Sequence, residues 1–298
     1  MHKLSDEELI NELKTRLEEN KKSLEELKAM TDELRTVNKR LAESESLKSH
    51  FISNITNEIV NPFASILGLS KNILALKPEN IIKAKPMAEL IFSEAFDLDF
   101  QLKNIFSAAK LEAGEALPDF QKVDIKQLIQ SVIDAYKFKA DQKELSINFG
   151  LEISKELETK SYFRTDAEKL KLILSNLMSN GIKYSNAANK VEIQAWMMQG
   201  NLKIAVKDYG IGIDPIHLQS IFERFKRIDN TINSVNRGHG LGLSVVKSML
   251  DILNGSIEIS SRKNHGSTFT ITIPEGLAED TEGTATDGNE FIFDDQVF

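Results

Sequence analysis

The chain has 298 residues, 41% hydrophobic and 28% charged, with no cysteine. That is an ordinary globular composition, long enough for two or three modest domains, and it excludes disulfides and thiolate zinc sites. Net charge is −8, and the excess sits in residues 275–298, where eight acids stand without a Lys or Arg and leave 37 acids to 37 bases elsewhere.

An acidic end repels polyanions, so nucleic acid is not expected as a partner. No apolar run approaches the ~18–20 residues needed to span a bilayer, and no secretory signal precedes the first helix. The expected location is cytoplasmic, either for the protein itself or for the cytosolic portion of a longer, membrane-bound sensor.

Residues 1–48 read as a coiled-coil helix. Ile10, Leu13, Leu17, Leu24, Leu27, Leu34 and Leu41 fall on one seam of three- and four-residue steps, interrupted by Asn20, Thr31 and Asn38. A solvated single helix carries the same charges, but seven apolar positions on one seam favour a dimer. Residues 49–114 read as a helical hairpin whose arms meet at "KPENIIKAKP", where Pro78 and Pro86 interrupt helices. One hairpin cannot bury both apolar faces, so two are expected to pair as a four-helix bundle in a homodimer.

From 120 to 274 the pattern turns α/β. Helices are expected over "VDIKQLIQSVIDAYKFKADQ", "DAEKLKLILSNLMSNGIKYS" and "GLGLSVVKSMLDILNG", the last stopping at Gly255. "LSINFGL" reads as a strand, "KVEIQAWMMQGNLKIAVKDYG" as a hairpin turning at Gly200-Asn201, and "SIEISSRKNHGSTFTITIP" as a second hairpin. Helices with mostly antiparallel strands predict a two-layer α/β sandwich, and the whole chain is α+β. Residues 275–298, rich in Gly, Thr and acids, read as a disordered tail.

Three clusters in this last region carry chemistry. Asn176 and Asn180 lie four residues apart on one helix face, joined by Lys183. Two amides and a cation suit phosphate oxygens and a hard divalent ion, although a solvated stripe has the same pattern. "DYGIGID", residues 208–214, places Asp208 before two glycines, Gly210 and Gly212, which let backbone approach a flat ligand; alone it could be a turn. "GHGLGLSVV", residues 238–246, is a glycine cluster running into a helix N-terminus, where free N–H groups meet phosphate. Between the two glycine clusters Arg224, Lys226, Arg227 and Arg237 are available to a triphosphate.

In this order the pieces resemble the ATP-binding domain of sensor histidine kinases, shared with the Hsp90, gyrase and MutL ATPases. The helix "NLMSNGIKYS", the turn "DYGIG", the segment "IFERFKR" and the loop "GHGLGL" carry the likeness, with "LEAGE", "VDI" and "GSTF" at matching places; it covers about residues 49–274. The resemblance implies ATP under a lid, with Asp208 on the adenine amine and Asn180 on Mg²⁺. It gives Asn176, Lys183 and the loop (Gly238, Gly240, Leu241, Gly242, Leu243) to the phosphates, with Arg227 and Arg237 in reach, and packs Tyr184 and Phe225 near the nucleotide and lid. A homodimer working with a response regulator receiver domain is implied as the partnership.

The same resemblance exposes a departure at "FISNITNEIVNPFASILG", residues 51–68. The family's phosphoacceptor histidine stands directly before an acid, and here that position is Asn57, before Glu58. An imidazole has an in-plane lone pair at neutral pH; the nitrogen lone pair of a carboxamide is delocalised. Asn57 therefore cannot accept the phosphoryl group. His50, about 10 Å earlier along the helix, lacks a following acid and reads as a surface residue. Asn61, where the family orients a water that dephosphorylates its regulator, is present. Pro62 is expected to bend the helix.

Three functions fit: a histidine kinase whose phosphoacceptor was replaced, a natural pseudokinase that binds ATP and dephosphorylates a regulator, or a dimeric scaffold without catalysis. A plain ATPase of the Hsp90 type lacks its glutamate, because Asn176 takes that place on the helix.

Overall fold

The computed structural model describes residues 6–152, 162–186, 189–224 and 240–276, without the side chains of residues 6–9, 12, 40, 43–58 and 152. Residues 1–54 and residues 55–298 form two separate units. Helix α1 (Asp6–Leu74) is 69 residues long, with Pro62 in its interior. The seam leucines of its first part, from Leu13 to Leu41, are exposed. Among the described residues no helix is long and apolar enough to cross a membrane.

The segment read as a break between helices is itself ordered. A 3₁₀ turn, Pro78–Lys83, leads into α2 (Ala84–Glu112), which contains Pro86 in its first turn. A proline is tolerated there because the first N–H groups of a helix have no intrahelical partner to lose.

A five-stranded mixed sheet and three helices follow. Strand β1 (Gln121–Val123) precedes α3 (Ile125–Gln142), whose N-cap Asp124 accepts from Gln127 N. Then come β2 (Ser146–Glu152), β3 (Phe163–Thr165), α4 (Ala167–Tyr184), β4 (Lys190–Met198) and β5 (Asn201–Asp208). The chain continues with α5 (Gly242–Ile252), β6 (Ser256–Arg262) and β7 (Gly266–Pro274). The large sheet has the order β2-β4-β5-β7-β6, with β2 and β4 parallel and the remaining pairs antiparallel. Period-2 alternation puts Val191, Ile193 and Ala195 of β4 inward, against an apolar helix face that includes Leu170, Ile173 and Leu177.

Three local readings needed adjustment. Strands β1 and β3 pair as a separate two-stranded ribbon, and neither was expected. The β4–β5 hairpin turns at Gln199-Gly200, with Met198 opposite Asn201. Both turn residues have positive φ, 53° and 76°, which matches the twist of the flanking strands. At the end of α5 the left-handed residue is Asn254 (φ 54°), not Gly255. Gly255 is needed for closeness instead: a Cβ there would lie 2.7 Å from the Thr272 carbonyl oxygen.

Helix α2 packs against α3 through an aromatic cluster. Phe92 meets Phe138 edge-on at 5.8 Å, and Phe96 and Phe100 meet Tyr136 at 5.2 and 6.3 Å. Asp97 pairs with Lys139 beside them. Burial, reinforced by the charge of Asp97, pushes the Tyr136 hydroxyl far above its ordinary pKa, so it stays protonated.

Candidate nucleotide-binding site

Helix α4 positions the amide pair. Its N-cap is Asp166, a buried carboxylate whose Oδ1 accepts from Lys169 N and whose Oδ2 accepts from Lys169 Nζ (2.6 Å) and from Asp119 N (2.9 Å). At the other end Lys143 Nζ donates to the carbonyls of Ile182 and Lys183, at 2.9 and 2.6 Å. A cation on the last carbonyls of a helix opposes its dipole favourably. Partial burial lowers the pKa of that ammonium.

Between those anchors Leu170, Ile173, Leu174, Leu177 and Met178 fill the core, and the polar stripe emerges at Asn180 and Lys183, both half-buried. The Lys183 ammonium lies 5.0 Å from the centre of the Tyr184 ring.

Asn176 behaves differently from Asn180. It is only 2% exposed. Its Nδ2 donates to Asn104 Oδ1 on α2 at 2.8 Å and to Leu172 O at 3.0 Å. Its Oδ1 faces Gly242, the first residue of α5, where a Cβ would come within 2.6 Å. That carboxamide is locked by its own bonds, so it has little room to retreat. Gly242 is thus required by packing.

Strand β5 delivers Asp208, which is 6% exposed. Its Oδ1 accepts from Gly210 N at 3.0 Å and from Ser267 N at 3.2 Å. Burial raises its pKa, and those hydrogen bonds oppose the rise. The Ser267 hydroxyl also bonds this carboxylate, which with about four lone-pair sites on its two oxygens keeps acceptor capacity for a donor on a ligand. Gly210 bridges to Ser185, and a Cβ on it would sit 1.9 Å from the Tyr184 carbonyl oxygen. Gly212 has φ +62° and passes equally close to the Arg262 carbonyl. The end of α4 and the DYGIG turn are therefore pressed together, and Gly181 lets α4 lie close on β4, where an added Cβ would meet Val191 at 3.2 Å.

Helix α5 opens the glycine-loop side. Gly240 has φ +70°, Leu241 is buried, Leu243 is half-buried, and no side chain caps the helix start. Uncapped N–H groups at a helix N-terminus are what an anion uses. The only described member of the cationic stretch, Arg224, reaches Glu112 at the end of α2, at 3.2 Å.

The structure thus sets Gly242 against Asn176 in the middle of α4, and the turn of Asp208 and Gly210 against the end of the same helix. Asn61 is elsewhere, exposed on α1. Phe225, Lys226, Arg227, Arg237 and Gly238 lie outside the described residues, as do the side chains of Asn57 and Glu58 and the tail from residue 277. Sequence reasoning missed Asn104, Lys143 and Ser267. Asn104 had a signal: it follows Phe92, Phe96 and Phe100 at four-residue steps, an amide closing an aromatic stripe.

A helix-backed mixed sheet with a buried carboxylate and an uncapped, glycine-led helix defines a nucleotide-binding α/β domain. Residues 165–277 match the family described as Histidine kinase-, DNA gyrase B-, and HSP90-like ATPase. The sensor-like histidine kinase SenX3 of Mycolicibacterium smegmatis is 31% identical over 234 residues, covering 78% of this chain and 59% of that protein. The circadian input-output histidine kinase CikA of Thermosynechococcus vestitus is 30% identical over 231 residues, covering 76% and 31% respectively.

Among solved structures, Acinetobacter baumannii histidine kinase AdeS superposes with a TM-score of 0.51 at 22% identity, over 74% of this chain and 98% of that one. Full-length ShkA in complex with AMPPNP gives 0.54 at 23%, over 78% and 46%. The chain belongs to the histidine kinase family, and its ATP-binding domain is of the type shared with gyrase B and HSP90. It spans a little over half the length of SenX3.

Proposed function

We propose that the chain is the cytosolic part of a two-component sensor histidine kinase. Residues 120–274 bind ATP with Mg²⁺, residues 49–114 form the dimerisation and phosphotransfer hairpin, and residues 1–48 form a coiled coil that pairs two copies. The exposed apolar seam of α1 supports the pairing. A response regulator receiver domain is the partner.

The observation that carries the nucleotide reading is Asp208, a buried carboxylate held by the Gly210 and Ser267 backbone N–H groups, whose remaining acceptor capacity suits an exocyclic amine. Asn180 offers a carbonyl oxygen to Mg²⁺, a hard cation that neutralises phosphate charge when bound. Lys183 and the N–H groups at the start of α5 face the phosphates; Arg227, Arg237 and Gly238 join them from the lid side. Asn176 contributes through its oxygen and its packing on Gly242, because both its N–H groups are engaged. Tyr184 and Phe225 pack near the base and lid. Calorimetry tests this: Asp208→Asn should weaken ATP binding by ~1.5–3 kcal/mol, and equal affinity would remove the assignment.

With asparagine at position 57 the chain does not autophosphorylate there, since a neighbouring base such as Glu58 cannot activate an amide. Asn57→His should restore a phosphoramidate, stable to base and labile to acid, from labelled ATP. Acid-labile label on the unmodified chain would overturn this and point to His50. A second reading, a pseudokinase acting as a response-regulator phosphatase, draws on Asn61, which is exposed on α1 and needs no histidine. Label absent from Asn57→His while ATP still binds would favour it.

A further inference from the structure

The stripe Phe92, Phe96, Phe100 and Asn104 runs along α2 at four-residue steps. The three aromatics pack together with α3, whereas Asn104, 6% exposed and buried on α2, turns to α4. Its Nδ2 donates to the Phe100 carbonyl at 2.9 Å, and its Oδ1 accepts from Asn176 Nδ2 at 2.8 Å. Asn176 Nδ2 spends its second proton on the Leu172 carbonyl at 3.0 Å.

Backbone carbonyls only accept, so Phe100 and Leu172 set which way each carboxamide faces. Neither amide can flip without placing oxygen against oxygen. The consequence is that the Asn176 oxygen is held against Gly242, the first residue of α5.

We propose that Asn104 is a positioning residue for the nucleotide site: from the hairpin helix α2 it holds Asn176 in the orientation that seats the N-terminus of α5 beneath the phosphates. This rests on the nucleotide reading above. Removing the Asn104 oxygen leaves a buried N–H of Asn176 without an acceptor, a cost the side chain relieves by turning away from Gly242. The wall behind the start of α5 then moves, and the helix N–H groups lose their aim. Because coupling is reciprocal, nucleotide strengthens the packing of α2 on this domain by the factor by which that packing strengthens nucleotide binding.

The test is calorimetric titration of the full chain with a non-hydrolysable ATP analogue. Asn104→Leu keeps size and deletes the acceptor, and should weaken binding on the order of tenfold. Asn104→Asp keeps an oxygen for Asn176, and a proton taken up on its other oxygen, as burial favours, can still donate to the Phe100 carbonyl, so binding should stay within roughly threefold of the unmodified chain. A role in packing alone gives the opposite order, because a carboxylate disturbs a buried contact more than Leu does.

Melting curves of both variants establish that they fold; if Asn104→Leu does not, Asn104→Ser, too short to reach Asn176, takes its place with the same expected loss. Binding by Asn104→Leu as tight as or tighter than the unmodified chain, or an Asp variant weaker than the Leu variant, overturns the proposal while the nucleotide site stands. An unmodified chain that fails to bind the analogue removes both.

Discussion

Two helices of this molecule carry leucines at the same three- and four-residue spacing and treat them in opposite ways. In α4, Leu170, Ile173, Leu174 and Leu177 are shut away beneath the sheet, Leu174 at 1% exposure. In the first part of α1, Leu17, Leu24, Leu27 and Leu34 stand in solvent, Leu24 at 54%. Periodicity identifies the apolar face of a helix and says nothing of what covers it. For α4 the cover is supplied by the same chain, through strands that follow it in sequence. For α1 the chain offers none among its described residues, and a second copy is the natural cover for a seam of this kind.

The contrast can be broken most forcefully at its buried end. Leu174→Ala should cost ~2–5 kcal/mol of stability, the sum of lost transfer energy and a cavity in a core that cannot collapse fully. The loss should not depend on protein concentration in a denaturant melt. Next in size is the exposed end. Leu24→Ala combined with Leu27→Ala should convert a dimer to a monomer by light scattering, with a stability change that fades on dilution. If the double variant stays dimeric, or costs as much as Leu174→Ala at every concentration, the opposition between the two helices is wrong. A chain beginning near residue 120 should be monomeric and still bind nucleotide, which sharpens the contrast by separating a self-covered region from one that needs a partner.

The smallest expected effect concerns charge. Asp208 has its pKa raised in the folded state by burial, so the fold binds its proton more tightly than the unfolded chain does. Stability from this group is fully present below the ordinary carboxylate range and declines as pH rises through the raised value. At neutral pH the buried charge is therefore a cost. Asp208→Asn, whose oxygen can still accept from Gly210 and Ser267, should melt no lower than the unmodified chain at pH 7 and should lose any advantage as pH falls into the carboxylate range. A variant that melts well below the unmodified chain at pH 7 would mean the carboxylate holds the turn together.

Most of the α/β region was legible in sequence. Helices α3, α4 and α5 follow their amphipathic patterns, and both hairpins announce themselves by alternation and glycine. What escaped was short or non-local. Strands β1 and β3 have three residues each, too few for a period to register, and they exist because they pair across 40 residues of chain. The parallel pairing of β2 with β4 is set by the helices around it and leaves no mark on either strand. Asn254 took the left-handed position at the end of α5 because asparagine tolerates it, which freed Gly255 to admit the Thr272 carbonyl.

At the site, Asp208, Gly210 and Gly242 were readable as types, but the reason for Gly242 was not: the neighbour it makes room for is a side chain 66 positions earlier, Asn176. Asn104 was visible as an oddity on an aromatic stripe, and only the fold could say which residue it answers.

The carboxylate of Asp166 has a practical consequence for anyone recombining such proteins. It caps the helix that bears Asn176 and Asn180, and the same group grips the backbone of Asp119 in the segment leading out of the hairpin. A chimaera joined at Gly114, where the helix visibly ends, would leave the native residues 115–119 to whichever parent supplies the second half and so keep the grip. One joined at 120 would import a foreign strap, and a strap one residue longer or shorter would slacken the start of α4, some fifty positions downstream. The workable seam for grafting a new input hairpin onto this domain therefore lies before residue 115, and the length of the strap belongs to the domain that follows it.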